Sequence, residues 1–415
     1  MSVRGIGGRR WQRLSVVSVI LCVNFMWFLF LRMTPSDETD PSDLQTKYPL
    51  LWNHVHTSRT SGGAFYIPPA WQSSSEEVPE TVLDAARLAQ RLANVSSDRS
   101  IAYSEIPLII HQTWKNTRID TWTKATRDMV ESWLQYAVET PMAYIMWDDD
   151  GVMQFMEEFE PEFVPKFNAL TRNVERSDIF RILVPKHIGG IYGDLDTHPL
   201  RPPATWIEPK DLLPWEDTET GVVYSSKQPV RAIFGIEADC PPDSDSYWRM
   251  GYTNPVQLTQ WALAAAPGHP VLSRFMERLN VQLDSVASRH SGDLTCPEAQ
   301  KELHELDPLL LTGPDAVTKA VQSWFNETVG LRWNALTGLH DGGKSKLVDD
   351  VMILPITGFS PGRGRYGNMG SKPIDDHDAR LQHLAQGSWR SFNLQVEFGK
   401  FCRTFFGLCR DWPKV

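Results

Sequence analysis

From about residue 107 onward, short apolar runs alternate with longer segments whose apolar residues recur at helical spacing. The short runs are typical of buried strands, and the spaced segments predict helices. Predicted strands are 108–110, 143–147, 191–193, 221–224, 231–236, 308–311 and 351–354, and predicted helices are 79–94, 122–138, 173–187, 255–266, 271–287 and 315–325. This alternation predicts an α/β fold with an open sheet that binds its ligands beyond the carboxyl ends of the strands.

One apolar run, residues 14–31, stands apart from this alternation because it is long enough to cross a bilayer. Arginines precede it and acidic residues follow it, so the positive-inside rule predicts a cytosolic tail at 1–13. No small-x-small cleavage site follows, which favours an uncleaved anchor over a signal peptide. We therefore expect a single-pass type II membrane protein with a poorly ordered lumenal stem at 32–104, a globular domain at 105–395 and a C-terminal tail at 396–415.

Composition indicates a globular protein with a large core, no nucleic-acid partner and the possibility of disulfides. With 415 residues, 41% of them hydrophobic, the chain is large enough for a substantial core. Its net charge of -10 argues against nucleic acid as a partner. Four cysteines lie beyond the anchor, Cys240, Cys296, Cys402 and Cys409. They allow three disulfide pairings, of which Cys402 with Cys409 is the first expectation, and four free thiols remain the alternative.

Two carboxylates, Asp194 and Asp196, stand one residue apart where the strand at 191–193 ends. Such a pair can hold a divalent cation against a diphosphate and leave coordination positions for the substrate. Upstream, Asp178 and Arg181 are three apart on one face of the helix predicted at 173–187. A solvated acidic loop and an exposed ion pair are the alternatives, and the order of helix, glycine pair, strand and carboxylates favours a metal or phosphate site.

Several sequence blocks resemble a known family. Residues 106–115, 176–181 and 189–197, followed by 235–239, 260–261, 267–270, 312–314, 383 and 387–389, are similar to blocks of fungal glycosyltransferases with the DxD sugar-binding region. Within that family the likeness is closest to the initiation-specific alpha-1,6-mannosyltransferases of the Golgi. It covers about residues 107–390.

The resemblance implies a GT-A fold with a Rossmann-like nucleotide-binding half, and transfer of mannose from GDP-mannose with retention of configuration. It also implies Mn2+ or another divalent cation, a Golgi membrane location and a mannose-containing glycan acceptor, such as an N-glycan core, extended in alpha-1,6 linkage. A complex with other Golgi mannosyltransferases is a further expectation. Mannosylation of inositol phosphorylceramide is the main rival within the family.

The resemblance also assigns roles by position. It implies that Asp196 binds the metal, that Asp194 lies near the ribose, the donor sugar and the metal, and that His383 is a further ligand. The donor-binding residues that it implies are Asp178, Arg181, Gly190, Tyr192, Ser388 and Trp389. Glu237 and Asp239, which follow a predicted strand, are the carboxylates that we expect to bind the acceptor or act as base.

Two alternatives belong to other functional classes. Haloacid-dehalogenase-like phosphatases also place Asp-x-Asp-Thr after an apolar strand, with the first Asp as nucleophile. They need a downstream lysine and a Gly-Asp pair, and this chain offers only residues 375–378. A membrane-anchored protein that binds sugar without turning it over is the second alternative.

Overall fold

A computed structural model describes residues 41–72, 78–363, 369–387 and 392–414. Its helices are α1 (Pro41–Lys47), α2 (Pro49–Thr57), α3 (Val82–Ala93), α4 (Lys124–Glu139), α5 (Asp149–Phe159), α6 (Val164–Ala169), α7 (Asn173–His187), α8 (Ser246–Arg249), α9 (Pro270–Arg289), α10 (Pro297–Glu305), α11 (Pro308–Leu311), α12 (Pro314–Val329), α13 (Ile356–Phe359) and α14 (Leu394–Phe406). Short 3-10 helices are Pro69–Trp71, Ser97–Arg99, Ile119–Thr121, Pro203–Thr205, Pro209–Leu212 and Trp333–Leu336.

The strands are β1 (Arg59–Thr60), β2 (Gly63–Tyr66), β3 (Ile109–Thr113), β4 (Ala143–Trp147), β5 (Gly190–Gly193), β6 (Thr197–Pro199), β7 (Trp215–Glu216), β8 (Val223–Tyr224), β9 (Ala232–Asp239), β10 (Val256–Ala265), β11 (Lys346–Val348), β12 (Val351–Leu354) and β13 (Leu381–His383). Within the described residues, nine strands form one open mixed sheet in the order β1-β2-β4-β3-β5-β10-β9-β12-β11. The predicted α/β class with an open mixed sheet is therefore confirmed.

Five strands of the sheet have their carboxyl ends along one edge. Strand β3 is parallel to β4 and to β5, and β9 is parallel to β12. Strand β10 runs antiparallel to both β5 and β9, so these two point the same way. The carboxyl ends of β3, β4, β5, β9 and β12 consequently lie along one edge, where open α/β sheets bind their ligands.

Strand β10 corrects a sequence prediction. A helix is predicted over 255–266, because the segment is rich in alanine, leucine and glutamine, but the structure forms the strand Val256–Ala265. All its residues are buried and it pairs with β5 on one side and β9 on the other. Pairing and burial at the centre of the sheet override local helix propensity.

The segment Pro308–Leu311 is a second correction, because a strand is predicted there and the structure has the short helix α11. Asp307 precedes it and its side chain accepts a hydrogen bond from the backbone N–H of Leu309 at 2.9 Å. Proline follows at the first helical position, where its fixed φ suits a helix. An N-cap aspartate followed by proline is a helix start, and here it outweighs the strand-like apolar run.

The predicted stem is also different in the structure. Within 32–104, strand β2 pairs antiparallel with β4, and α3 begins with a capping box between Thr81 and Asp84. Leu51, Ala64 and most of the apolar face of α3 are buried in the common core. The helix predicted at 79–94 is confirmed as α3, whereas the poor order expected over much of the stem is wrong for the described part, because these elements bury apolar surface and extend the sheet.

Predictions for the two ends of the chain have different outcomes. The boundary predicted between domain and tail, at 395/396, falls inside α14, which packs on α8. The Cys402–Cys409 disulfide is present, which confirms the first expected pairing, while Cys240 and Cys296 are free thiols. The predicted anchor at 14–31 and the tail at 1–13 lie outside the described residues. Among the residues that are described, no helix is both long and apolar enough to span a bilayer.

Candidate active site

The site begins where β5 ends, in a tight turn from Asp194 to Thr197. The backbone N–H of Asp194 donates to the carbonyl of Trp261 at 2.8 Å, and the Thr197 hydroxyl donates back to the Asp194 carbonyl at 2.6 Å. The buried Gln112 amide donates to the same Asp194 carbonyl at 3.1 Å, and the Trp133 indole donates to the Thr197 carbonyl at 3.0 Å. These bonds fix the direction in which the two acidic side chains leave the sheet.

A histidine distant in sequence completes the acidic pair. Strand β13 pairs with β6 so that His383 lies opposite Thr197. One ligand atom from each of Asp194, Asp196 and His383 falls within 4.8 Å of the others. The His383 Nε2 lies 3.2 Å from Asp196 Oδ1, and the imidazole stacks on Trp261 at a centroid distance of 4.4 Å. The stacked ring is thus held with a nitrogen toward the carboxylates.

Arg181 links this cluster to helix α7. Its guanidinium lies 3.2 Å from Asp178 Oδ1 and 3.1 Å from Asp194 Oδ1, measured from Nη1 and Nη2. The Thr312 hydroxyl donates to Asp178 Oδ2 at 2.9 Å, and the Tyr192 hydroxyl donates to Asp194 Oδ1 at 2.9 Å. Asp178 and Arg181 are buried, so the alternative of an exposed surface ion pair is wrong for them.

The carboxylates differ in their affinity for protons. Burial raises the pKa of Asp178 from 3.8 to about 6, although Arg181 and Thr312 partly oppose the shift. Burial likewise raises the pKa of Asp194, again against the attraction of Arg181. For Asp196 burial acts in the same direction, but hydrogen bonding and attraction to His383 prevail and the pKa is lowered. Asp196 is therefore the carboxylate most firmly held in the ionised form that a metal ligand requires.

The donor set fits a divalent cation. The hydrogen bonds and ion pair that Asp194 receives from described residues fall on Oδ1, so Oδ2 is the oxygen available to a ligand. His383 Nδ1 is buried without a hydrogen-bond partner among the described residues. Two carboxylates and one imidazole are ligands that first-row divalent ions accept. Asp194, Asp196 and His383 would hold such an ion and leave its remaining positions to substrate oxygens and water.

Gly190 and Asp239, two further residues predicted for the site, lie outside the cluster. Gly190 has a φ of 112°, and a Cβ there would lie 2.3 Å from the carbonyl oxygen of Ile109. It therefore serves the close pairing of β5 with β3, four residues before the acidic turn. Asp239 accepts hydrogen bonds from the Thr337 hydroxyl at 2.6 Å and the Gly338 N–H at 2.7 Å. We therefore expect Asp239 to anchor that loop, in place of the catalytic role predicted from the sequence.

Glu237, the other carboxylate predicted to bind the acceptor or act as base, lies near the carboxyl end of β9. It is buried at the carboxyl end of β9 and accepts a hydrogen bond from the Gln257 amide at 2.7 Å. Burial raises its pKa, while attraction to Arg363, and more weakly to His383, lowers it. An acidic group with a raised pKa beside the cluster is suited to exchanging a proton. Ser388 and Trp389 lie outside the described residues, so their predicted roles stay predictions.

Comparison with known proteins identifies this part of the chain. Residues 123–213 match the model of the family described as glycosyltransferase sugar-binding region containing DXD motif. The matched segment contains Asp178, Arg181, Asp194 and Asp196, so the similarity covers most of the cluster that the structure assembles.

Curated proteins similar to this chain include fungal mannosyltransferases. The initiation-specific alpha-1,6-mannosyltransferase of Schizosaccharomyces pombe is 36% identical over 218 residues, which are 52% of this chain and 47% of that protein. The protein of the same name from Saccharomyces cerevisiae is 25% identical, covering 72% of this chain and 82% of that one. Inositol phosphoceramide mannosyltransferase 1 of S. pombe is 33% identical over 28% of this chain and 39% of its own length. The predicted resemblance is confirmed, and the chain spans about half the length of the first two such relatives, 47% and 57%.

Among solved structures, PaToxG Glycosyltransferase aligns with 61% of this chain and 83% of its own, at 16% identity and a TM-score of 0.30. A likeness this low does not establish a shared fold.

The candidate site also depends on residues that the sequence analysis did not single out. Gln112 and Thr197 hold the acidic turn, and Thr312, directly after helix α11, donates a hydrogen bond to Asp178. Thr312 lies in a block that carries the family resemblance, which was the available signal. Gln112 follows the apolar run of β3 at its carboxyl end, and that position alone suggests a lining residue.

Proposed function

We propose that this protein transfers mannose from GDP-mannose to a mannose-containing glycan, in alpha-1,6 linkage and with retention of configuration. The observation that carries the proposal is the convergence of Asp194, Asp196 and His383 within 4.8 Å at the end of β5. The names of the similar fungal proteins supply the donor sugar and the linkage. A GT-A fold, Mn2+ as the metal, a Golgi location and a membrane anchor at 14–31 are parts of the same proposal.

The protein's own residues would act on the donor in defined ways. A bound divalent cation neutralises negative charge that develops on a departing diphosphate. Asp196 and His383 would hold the cation, and Asp194 would also face the ribose. Arg181 presents a planar fork of N–H donors to the same space, and such a fork can bind sugar hydroxyls or phosphate oxygens bidentately. Asp178 and Thr312 fix the position of Arg181, so the donor meets a preorganised site.

Acceptance of the proton from the attacking hydroxyl is proposed for Glu237. Its raised pKa and its position at the carboxyl end of β9 support this role. The Gln257 amide donates a hydrogen bond to one carboxylate oxygen of Glu237 and so orients the group. Both oxygens of Asp239 accept hydrogen bonds from the 337–338 loop, so Glu237 is the first of the two carboxylates to test by mutation.

Inositol phosphorylceramide is the rival acceptor, because mannosyltransferases with that substrate in their name match part of this chain. We favour the glycan because proteins named for alpha-1,6 mannose transfer match the longer stretches. The phosphatase alternative lacks support: Asp378 pairs with Lys210 and Lys372, so the 375–378 segment has its own ion pairs. The sugar-binding alternative differs from the proposal only in turnover.

The test is a donor and acceptor screen with the purified full-length chain in detergent. Mannose should be transferred from GDP-mannose to an alpha-mannoside acceptor in the presence of Mn2+, and EDTA should abolish the transfer. A mannosidase specific for alpha-1,6 linkages should release the added sugar. Asp194→Ala and Asp196→Ala should be inactive yet folded, and Asp98→Ala, an exposed control, should be active. Binding without turnover would support the sugar-binding alternative, and activity in both variants would reject the site.

A further inference from the structure

Helix α14 carries an exposed apolar stripe. Leu394, Phe398, Phe401 and Phe405, here called the aromatic stripe, recur at i, i+4, i+7 and i+11 and so lie along one face. Their exposures are 72%, 54%, 45% and 68%. The rings of Phe401 and Phe405 lie 4.8 Å apart, and Phe398 lies 5.8 Å from the ring of Trp412. The side chains therefore form one continuous apolar surface that water contacts.

The opposite face of α14 fixes this orientation. Gly399, Cys402 and Arg403 are buried. The Cys402–Cys409 disulfide ties the following tail to the helix, and Arg249 in α8 donates to the Arg403 carbonyl at 3.3 Å. The helix is thus attached by its small and polar side and presents the aromatic stripe outward. Single exposed apolar residues are common on soluble proteins, but a contiguous stripe marks an interaction surface.

The arrangement of the chain indicates what covers the stripe. Residues 41–72 and 78–104 contribute helices and strands packed in the common core, so they do not form a long spacer. Only the nine residues 32–40 separate the apolar run at 14–31 from α1. Fully extended, nine residues span at most about 30 Å. If 14–31 crosses the membrane as proposed, the folded part stays within that reach of the bilayer surface.

Tyr48, which follows the first described helix α1, and the stripe lie toward the same edge of the sheet. Helix α8, on which α14 packs, follows the carboxyl end of β9. At the other end of the chain, the Tyr48 hydroxyl donates to Asp128 at 2.9 Å, in the early part of α4. Helix α4 follows the carboxyl end of β3, which points the same way as β9. A membrane that meets the tether at this edge can therefore also meet the stripe.

We propose that the aromatic stripe inserts into the headgroup boundary of the lumenal leaflet and forms a second, peripheral membrane contact. The proposal rests on the anchor that is part of the proposed function. Phenylalanine and leucine on one face of a short helix suit shallow insertion, and the exposed Lys400 and Arg410 suit contact with lipid phosphates. The contact would hold the acidic cluster, at the same sheet edge, beside the membrane surface.

The test uses the full chain with a protease recognition sequence in place of residues 34–40, reconstituted into phosphatidylcholine and phosphatidylserine vesicles. After cleavage the folded part is no longer linked to residues 1–33, and vesicle flotation measures whether it stays bound. We expect the cleaved wild-type part to float. Combined Phe398→Ser, Phe401→Ser and Phe405→Ser should reduce the floating fraction at least about tenfold.

The matched control replaces Val138, Val281 and Val329 by serine, three exposed apolar residues on other helices. This control should float as the wild type does, and all variants should keep the same thermal unfolding midpoint. Release of the cleaved wild-type part from the vesicles would overturn the proposal. So would its release as a dimer that the three serine substitutions in the stripe convert to a monomer. Failure of the uncleaved chain to float would contradict the anchor, whereas floating of the uncleaved chain alone would contradict only the stripe.

Discussion

Replacement of Asp239 tests whether this carboxylate is structural, in contrast to the carboxylates proposed to act in transfer. Asp239 is 1% exposed, and its two oxygens accept hydrogen bonds from the Thr337 hydroxyl and the Gly338 N–H. Asp239→Ala leaves both half-buried donors without this partner, at up to about 1–3 kcal/mol each. Burial raises the pKa of Asp239, so removing the charged group also removes an unfavourable desolvation and offsets part of this cost. We expect a net loss of about 2–4 kcal/mol.

The assay compares Asp239→Ala with Asp196→Ala in thermal unfolding and in mannose transfer below the unfolding temperature. Asp239→Ala should lower the midpoint by about 2–5 °C and leave kcat within about threefold of the wild type. Asp196 lies at a partly exposed position, so its replacement should change the midpoint little and abolish turnover. A variant of Asp239 that unfolds like the wild type but has lost kcat would refute this reasoning.

Three further predictions follow from buried groups. Burial raises the pKa of Glu175 from 4.5 to about 7, so the folded chain keeps this proton to higher pH than the unfolded chain, and stability falls as the pH rises from 4.5 to 7. Glu175→Gln should therefore exceed the wild type by up to about 3 kcal/mol at pH 8 and match it at pH 4, in denaturant titrations with the exposed Glu157→Gln as control. Thr312→Val removes a hydrogen bond to Asp178 worth about 1.5–3 kcal/mol, so kcat/KM for the donor should fall tenfold or more; an unchanged value would deny Asp178 a role in orienting Arg181. Gly190→Ala places a Cβ against the backbone of β3 and should destabilise the fold by more than about 3 kcal/mol, measured by the same titrations, with wild-type stability as the contradicting outcome.

Much of the fold was predictable because local pattern and tertiary environment agree there. Helix α7 spans the predicted 173–187, and β4 spans the predicted 143–147. Where local pattern and tertiary environment disagree, the prediction is wrong. The composition of β10 is typical of a helix, but pairing with β5 and β9 makes it a strand. Apart from the helix predicted at 79–94, the segment 41–104 lacks sustained periodicity because its elements are short and pack by contacts with residues far along the chain, such as β2 with β4.

Site residues that lie close together in the sequence could be predicted, and those that come from distant parts of the chain could not. Asp178, Arg181, Asp194 and Asp196 fall within 19 residues, so one helix and one strand bring them together. His383 joins them only through the pairing of β13 with β6, a register that no local pattern specifies. The family resemblance, not residue spacing, indicated His383 as a candidate ligand. The anchoring role of Asp239 could not be predicted, because it depends on the position of the distant 337–338 loop.

The most direct test of the proposed metal-dependent transfer is crystallography of the protein with Mn2+ and GDP, using anomalous scattering to locate the metal. We predict one Mn2+ peak within about 2.5 Å of an Asp196 oxygen and of a His383 nitrogen, bridging to the GDP phosphates, with Arg181 facing the nucleotide. A structure with GDP bound, but with no metal at Asp196 and with His383 still paired to that carboxylate, would contradict the account.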